Sequence, residues 1–184
     1  MDTEFWGPSI WKTIHVTCFN YAKEQKHKML LFLNTLAQLL PCNICTQSFK
    51  DIYAIFDPEP YMENSYTLFY WSVFIHNLVN LKLQKPYYSF RSALQDYEPF
   101  RAKCSSFEIK DQCRVILREK ITEPSQLETI AEVDTRISLK YNDHIVKILE
   151  DRHRKRWRFA DESSSRARLI LPITLSDFKH HFLK

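Results

Sequence analysis

One glycine, Gly7, serves all 184 residues of the chain, and that scarcity excludes more than any other count. Cradling a phosphate in main chain takes two or three glycines, because only a residue without a side chain lets the backbone approach pyrophosphate. Neither a dinucleotide-binding fingerprint nor a P-loop is available, so any nucleotide cofactor must be held another way. A hydrophobic share of 45% and an aromatic share of 14% are those of a globular chain with enough apolar surface for a core. The length suits one medium domain, or a small domain with a sizeable appendage.

Charge divides the chain. Residues 1–100 carry eight Lys/Arg against nine Asp/Glu, whereas 101–184 carry eighteen against thirteen. That asymmetry predicts a first unit over 1–100 and an extension over 101–184 with different partners. No run of about eighteen apolar residues occurs, and Met1 is followed at once by acidic and polar residues, so neither a membrane span nor a cleavable signal peptide is expected. Five cysteines without an export signal point to redox or metal use rather than to a stapled extracellular scaffold.

The first hundred residues read as helices separated by prolines. Pro8 opens a stripe through Ile10, Ile14, Cys18 and Tyr21 at helical spacing. A second helix fits Lys28 to Leu40 and ends at Pro41. A third runs from about Asn43 to Phe56, with Phe49, Ile52, Tyr53 and Phe56 inward. Ser65 is the expected cap of a long helix through Trp71, Phe74, Leu78 and Leu83, stopped by Pro86, and a short fifth helix fits Ser89 to Tyr97. The expected fold class is all-α: an antiparallel four-helix bundle plus a short fifth helix. Beyond Phe100, Pro124 and Ser125 open a long amphipathic segment from Leu127 to Leu149, which runs into a basic stretch. After a polar hinge, Asp161 to Ser165, the apolar stretch Leu169 to Leu175 reads as a short strand or an extended docking segment.

Three constellations can do chemistry. Cys42-Asn-Ile-Cys45 follows Pro41 at a helix N-terminus, where exposed N–H groups and the helix dipole lower a cysteine pKa from about 8.5 to roughly 3.5–7.5. The spacing suits a redox pair. Half of a zinc site and two inert buried thiols are the alternatives; zinc would need a second pair of matching spacing, which Cys104, Cys113 and His144 do not form. On the long helix, His76, Asn77 and Asn80 are three and four apart and share a face, either bonding to backbone or presenting a polar edge to a ligand such as a flavin ring or adenine. Near the N-terminus, Trp11 and His15 lie one above the other on a helical stripe, as core aromatics or as a stacking surface.

Joined in order, Trp6-Gly-Pro-x2-Trp11-x3-His15, Leu40-Pro-Cys42-x2-Cys45-x3-Phe49 and Trp71-x4-His76-Asn-x-Val-Asn80-x2-Leu-x-Lys85-Pro resemble the Erv/ALR family of FAD-linked sulfhydryl oxidases over about residues 5 to 90. The resemblance implies FAD held among the helices of a small bundle. It places Cys45 against the flavin C4a position and makes Cys42 the sulfur that exchanges with substrate. Trp11, His15, Tyr21, His76, Asn77, Asn80 and Lys85 would surround the cofactor, with Tyr88 added to that set. The implied enzyme makes disulfides in protein substrates, passing electrons from their thiols through the cysteine pair and FAD to dioxygen, with hydrogen peroxide as product. It also implies a homodimer and, because the short N-terminus with a divergent extension is similar to the forms encoded by large DNA viruses, a place in the cytoplasm of an infected host cell or in the virion.

The chain departs from the family pattern at two points. The stretch Tyr87 to Phe90 lacks the cysteine that follows Lys-Pro in many relatives, and no shuttle pair precedes the core. Cys104 and Cys113 remain as a C-terminal shuttle, a local bridge or free thiols, and Cys18 reads as buried and inert. The basic residues Arg152, Arg154, Lys155, Arg156 and Arg158, with Trp157, read as a solvated helix end or as a surface for nucleic acid. The apolar stripe before them packs on the bundle or on a second subunit. The reading from another class is a helical protein without enzymatic activity that binds zinc or nucleic acid, its cysteine pair structural and its tail basic.

Overall fold

The computed structural model describes residues 2–100, 129–158 and 175–182, and only the backbone over 152–158 and at 175, 177, 181 and 182. Seven α-helices occur among the described residues, and no strand: α1 (Thr3–Phe19), α2 (Lys26–Leu39), α3 (Asn43–Ile55), α4 (Ser65–Lys82), α5 (Phe90–Tyr97), α6 (Ile130–Arg158) and α7 (Leu175–Phe182). Helix α1 packs along α4, α2 against α3, and α5 against α4. The all-α architecture is the expected one, with differences at several helix ends.

Helix α1 begins five residues before Pro8. Asp2 caps it, its carboxylate accepting from the Glu4 N–H at 2.9 Å, and Pro8 lies inside. A proline near a helix start removes few backbone bonds, so a good cap outweighs it. The helix also stops at Phe19, short of Tyr21. Asn64, not Ser65, caps α4: its side chain accepts from the Thr67 N–H while the Thr67 hydroxyl accepts from the Asn64 N–H, a reciprocal capping box.

Helix α4 is the axis of the bundle. It is apolar nearly all round, with Leu68, Phe69, Trp71, Val73, Phe74, Ile75 and Leu78 buried, as a helix enclosed on every side must be. The Trp71 indole N–H donates to the Phe56 carbonyl at 2.7 Å and fastens the end of α3 to this axis. The C-terminus of α4 is closed by Gln84 at φ 55°, with the Gln84 N–H donating to the Leu81 carbonyl and the Lys85 N–H to the Asn80 carbonyl. That pair of bonds is a Schellman closure, whose left-handed position is usually glycine. It fixes where Lys85 leaves the helix.

The described part of the extension packs on the bundle. Helix α6 starts at Ile130 behind a box between Thr129 and Glu132, and lies against α4, α5 and α7. Its stripe of Val133, Ile137, Tyr141, Ile145 and Leu149 is buried within the same hydrophobic cluster as the bundle core. Tyr141 stacks on Tyr61 at 4.5 Å, and Tyr70 donates to Asn142 at 2.9 Å. Of the two expected destinations for this stripe, it occupies the bundle. Cys104, Cys113, Leu127, the hinge from Asp161 to Ser165 and residues 169–174 lie outside the described residues; Leu175 itself begins helix α7.

Candidate redox site

Helices α2 and α3 meet at Leu40-Pro41, where proline ends one helix and admits the next. Cys42 is the N-cap of α3: its Sγ accepts from the Cys45 N–H at 3.3 Å, and the two cysteines form a disulfide. Both sulfurs therefore sit in the first turn of a helix, where unpaired N–H groups favour negative charge. Joined to each other, neither is the thiolate that a zinc site requires. Among the described residues no group of three or more His, Cys, Asp or Glu side chains could hold a metal.

A cavity of about 520 Å³ opens between α1, the start of α3 and the C-terminal half of α4. Cys45 forms part of its wall and Cys42 does not. Both are partly exposed, and Ile44 between them is 77% exposed. One sulfur thus belongs to the interior of the cavity and the other to its outside. Trp11 and His76 lie face to face at 4.1 Å with planes 9° apart, and Phe49 and Tyr97 add further ring surface to the lining. His15, Asn80, Lys82, Lys85 and Tyr88 supply polar groups, and Lys82 donates to Ser48 at 2.9 Å.

The two histidines are bonded to each other and to the core. His15 Nε2 lies 2.9 Å from His76 Nδ1, and His15 Nδ1 lies 2.9 Å from the Ser72 hydroxyl. Burial pushes the His15 pKa down to about 3, with the nearby His76 adding to the effect. His76 is lowered to about 4, by burial first and by the charge of Lys85 second. Both rings are neutral at ordinary pH, because the charged form loses its water without gaining an anion.

Two residues of the expected cofactor set stand elsewhere. Tyr21 is fully buried beyond the end of α1, its N–H donating to the Cys18 carbonyl at 3.2 Å and its hydroxyl to the Met62 carbonyl at 3.2 Å. Asn77 is turned toward the segment after α4, where its amide accepts from the Tyr88 N–H at 2.9 Å and donates to the Tyr88 carbonyl at 2.7 Å. It holds Tyr88 in the wall without lining the cavity itself. One residue along a helix is a rotation of about 100°, enough to separate Asn77 from His76. Phe49, Lys82, Tyr97 and Ser72 are site residues that the sequence reading did not pick out. Ser72 carried one signal: it precedes His76 by four and so lies on the same face.

A model of the Erv1 / Alr family matches residues 8–99. Over 89 residues the chain is 35% identical to the mitochondrial FAD-linked sulfhydryl oxidase ERV1 of Saccharomyces cerevisiae, an alignment that covers 46% of each protein. It is 29% identical over 96 residues to the yeast FAD-linked sulfhydryl oxidase ERV2, covering 50% of this chain and 48% of that one. To the FAD-linked sulfhydryl oxidase of African swine fever virus it is 26% identical over 98 residues, covering 50% of this chain and 80% of the viral one. The chain thus spans about half the length of the two yeast relatives. No solved structure matches it.

Proposed function

The chain belongs to the Erv1/Alr family, and from that membership we propose that it is an FAD-dependent thiol oxidase that forms disulfide bonds in protein substrates. One observation carries the reading: of two disulfide-bonded sulfurs, Cys45 walls an aromatic-lined cavity while Cys42 stays outside it.

The residues present fit the cofactor. Trp11, Phe49 and Tyr97 offer ring faces to an isoalloxazine or an adenine, His76 and Asn80 offer a hydrogen-bonding edge, and Lys82 and Lys85 offer positive charge for a pyrophosphate. Helix side chains thereby replace the missing glycine loop. The chemistry FAD supplies when bound is two-electron transfer from the cysteine pair to dioxygen, which leaves as hydrogen peroxide.

The protein's own part is thiol exchange. A substrate thiolate attacks Cys42 Sγ; the Cys42–Cys45 bond breaks, and Cys45 leaves as a thiolate into the cavity wall. A second substrate thiolate attacks the substrate sulfur of the mixed disulfide, and Cys42 leaves. The substrate departs oxidised by two electrons, and the pair is left reduced. The Cys45 N–H that reaches Cys42 Sγ stabilises the departing Cys42 thiolate, and a better-stabilised thiolate is a better leaving group. His15 and His76 stay neutral and hold the inner wall. Cys18 is fully buried, with its pKa pushed up by burial, and remains an inert thiol.

Replacing Cys42 or Cys45 with Ser is expected to abolish oxygen consumption with dithiothreitol while FAD stays bound. An oxygen electrode together with the visible spectrum measures both. Full turnover in either variant removes the proposed redox centre.

The same reading extends to assembly and place. A homodimer is supported by Phe5 and Val16 on α1 and Leu31 and Leu39 on α2, which remain exposed; sedimentation at micromolar concentration tests it. Cys104 and Cys113 are assigned as a shuttle or a local bridge, and residues 1–100 as the oxidase unit. The viral relative supports a site of action in an infected cell's cytoplasm or in the virion. No helix among the described residues is long and apolar enough to cross a membrane. The side chains of the basic run from Arg152 to Arg158 lie outside the described residues, and binding of nucleic acid there rests on sequence alone.

A further inference from the structure

Behind the cavity wall, the bonds of one serine determine where every proton lies. The Ser72 hydroxyl, on α4, is 2.7 Å from the Phe69 carbonyl. A carbonyl has no proton to give, so the serine O–H must point at it. A hydroxyl owns one proton and two acceptor positions. Ser72 can therefore only accept from its other bonded neighbour, His15 Nδ1 at 2.9 Å. His15 must carry its proton on Nδ1, and a neutral imidazole protonated there has a bare Nε2. That bare nitrogen faces His76 Nδ1 at 2.9 Å, so His76 must be the donor of the pair. Ser72 is fully buried and His15 is 2% exposed, and no water competes for these positions. On His76, Nε2 makes no hydrogen bond among the described residues, while its ring lines the cavity against Trp11.

We propose that Ser72 is a positioning residue that, through His15, locks His76 as the neutral Nδ1–H tautomer, so that the cavity meets a hydrogen-bond acceptor there and selects a ligand group with an N–H or O–H to offer. The relay stands on the bonds alone. The ligand it selects rests on the flavin reading above, and FAD carries such donors in its ring imide, its hydroxyls and its adenine amino group. Anionic and carbonyl groups of the same ligand are turned away from this point and toward the lysines.

Removing the Ser72 oxygen leaves His15 Nδ1 without an acceptor. The pair then gains by reversing: His15 donates from Nε2, His76 accepts at Nδ1, and His76 presents an N–H to the cavity. A site built to accept a proton then opposes the ligand's donor with another donor, which costs about tenfold in affinity.

The experiment is a long-range proton–nitrogen NMR spectrum of the full chain labelled with 15N-histidine, with FAD present. The expected result is His15 and His76 both protonated on Nδ1 in the wild type and in Ser72→Thr, and both protonated on Nε2 in Ser72→Ala. A wild-type His76 protonated on Nε2 overturns the proposal without any variant, and so does a Ser72→Ala spectrum identical to wild type. FAD affinity, read separately by fluorescence titration, falls about tenfold in Ser72→Ala and returns in Ser72→Thr; equal affinity in all three overturns the ligand selection. A colourless protein that binds no FAD refutes the flavin reading while the tautomers still decide the relay.

Discussion

His15 and His76 couple the stability of this protein to pH. Their pKa values stand near 3 and 4, against about 6.5 in an unfolded chain. Between those values the unfolded state binds protons that the native state refuses, so stability rises with pH across that window and is flat above it. As pH falls through 6.5, each histidine removes up to about 1.4 kcal/mol per pH unit. Urea unfolding between pH 7 and pH 5 is expected to lose about 2 kcal/mol per histidine, and His76→Gln is expected to shed much of that slope. A midpoint indifferent to pH in this range contradicts neutral buried rings. At the same scale, the site was legible wherever a residue sat on a regular helix face. Trp11, His15, His76 and Asn80 repeat at four and reach one cavity. Tyr21 extends the neighbouring stripe of Ile10, Ile14 and Cys18 on paper, but α1 ends at Phe19 and the chain turns it into the core. Asn77 shares a motif with His76 and is rotated away from the cavity.

Helices were readable from proline punctuation and apolar spacing, and their ends from chemistry that one letter does not carry. Pro8 suggested a start that the Asp2 cap moves back to Thr3. The closing turn of α4 was unreadable because its left-handed position holds Gln84 rather than glycine. A side chain at that φ costs roughly 1–2 kcal/mol, which Gln84→Gly is expected to recover in part, less the extra entropy glycine brings to the unfolded chain. The predicted net gain is about 0.5–1 kcal/mol, read as a raised thermal midpoint with FAD affinity unchanged, since the backbone path to Lys85 is the same. A lower midpoint means that the Gln84 side chain contributes contacts beyond its backbone.

Among the described residues of the whole molecule, the cavity and helix α6 belong to different parts of the bundle surface. Every described residue lining the cavity lies between Thr3 and Tyr97, while α6 buries its stripe against α4 and α5. The sequence showed that the stripe must be covered and left open whether this chain or a second copy covers it, since both bury the same apolar area. Truncation after Phe100 is expected to leave FAD binding in place but to lower thermal stability, because Tyr61 and Tyr70 lose their stacking partner Tyr141. Loss of FAD together with the tail means that the extension completes the site. The central claim is that Cys45 alone joins the thiol chemistry outside the cavity to the cofactor within it. Anaerobic mixing of the FAD-loaded protein with excess dithiol, followed by the flavin absorbance, tests this most directly. The yellow colour is predicted to bleach in the wild type and return on admitting air, and to persist in Cys45→Ser. Bleaching of Cys45→Ser at the wild-type rate contradicts the account.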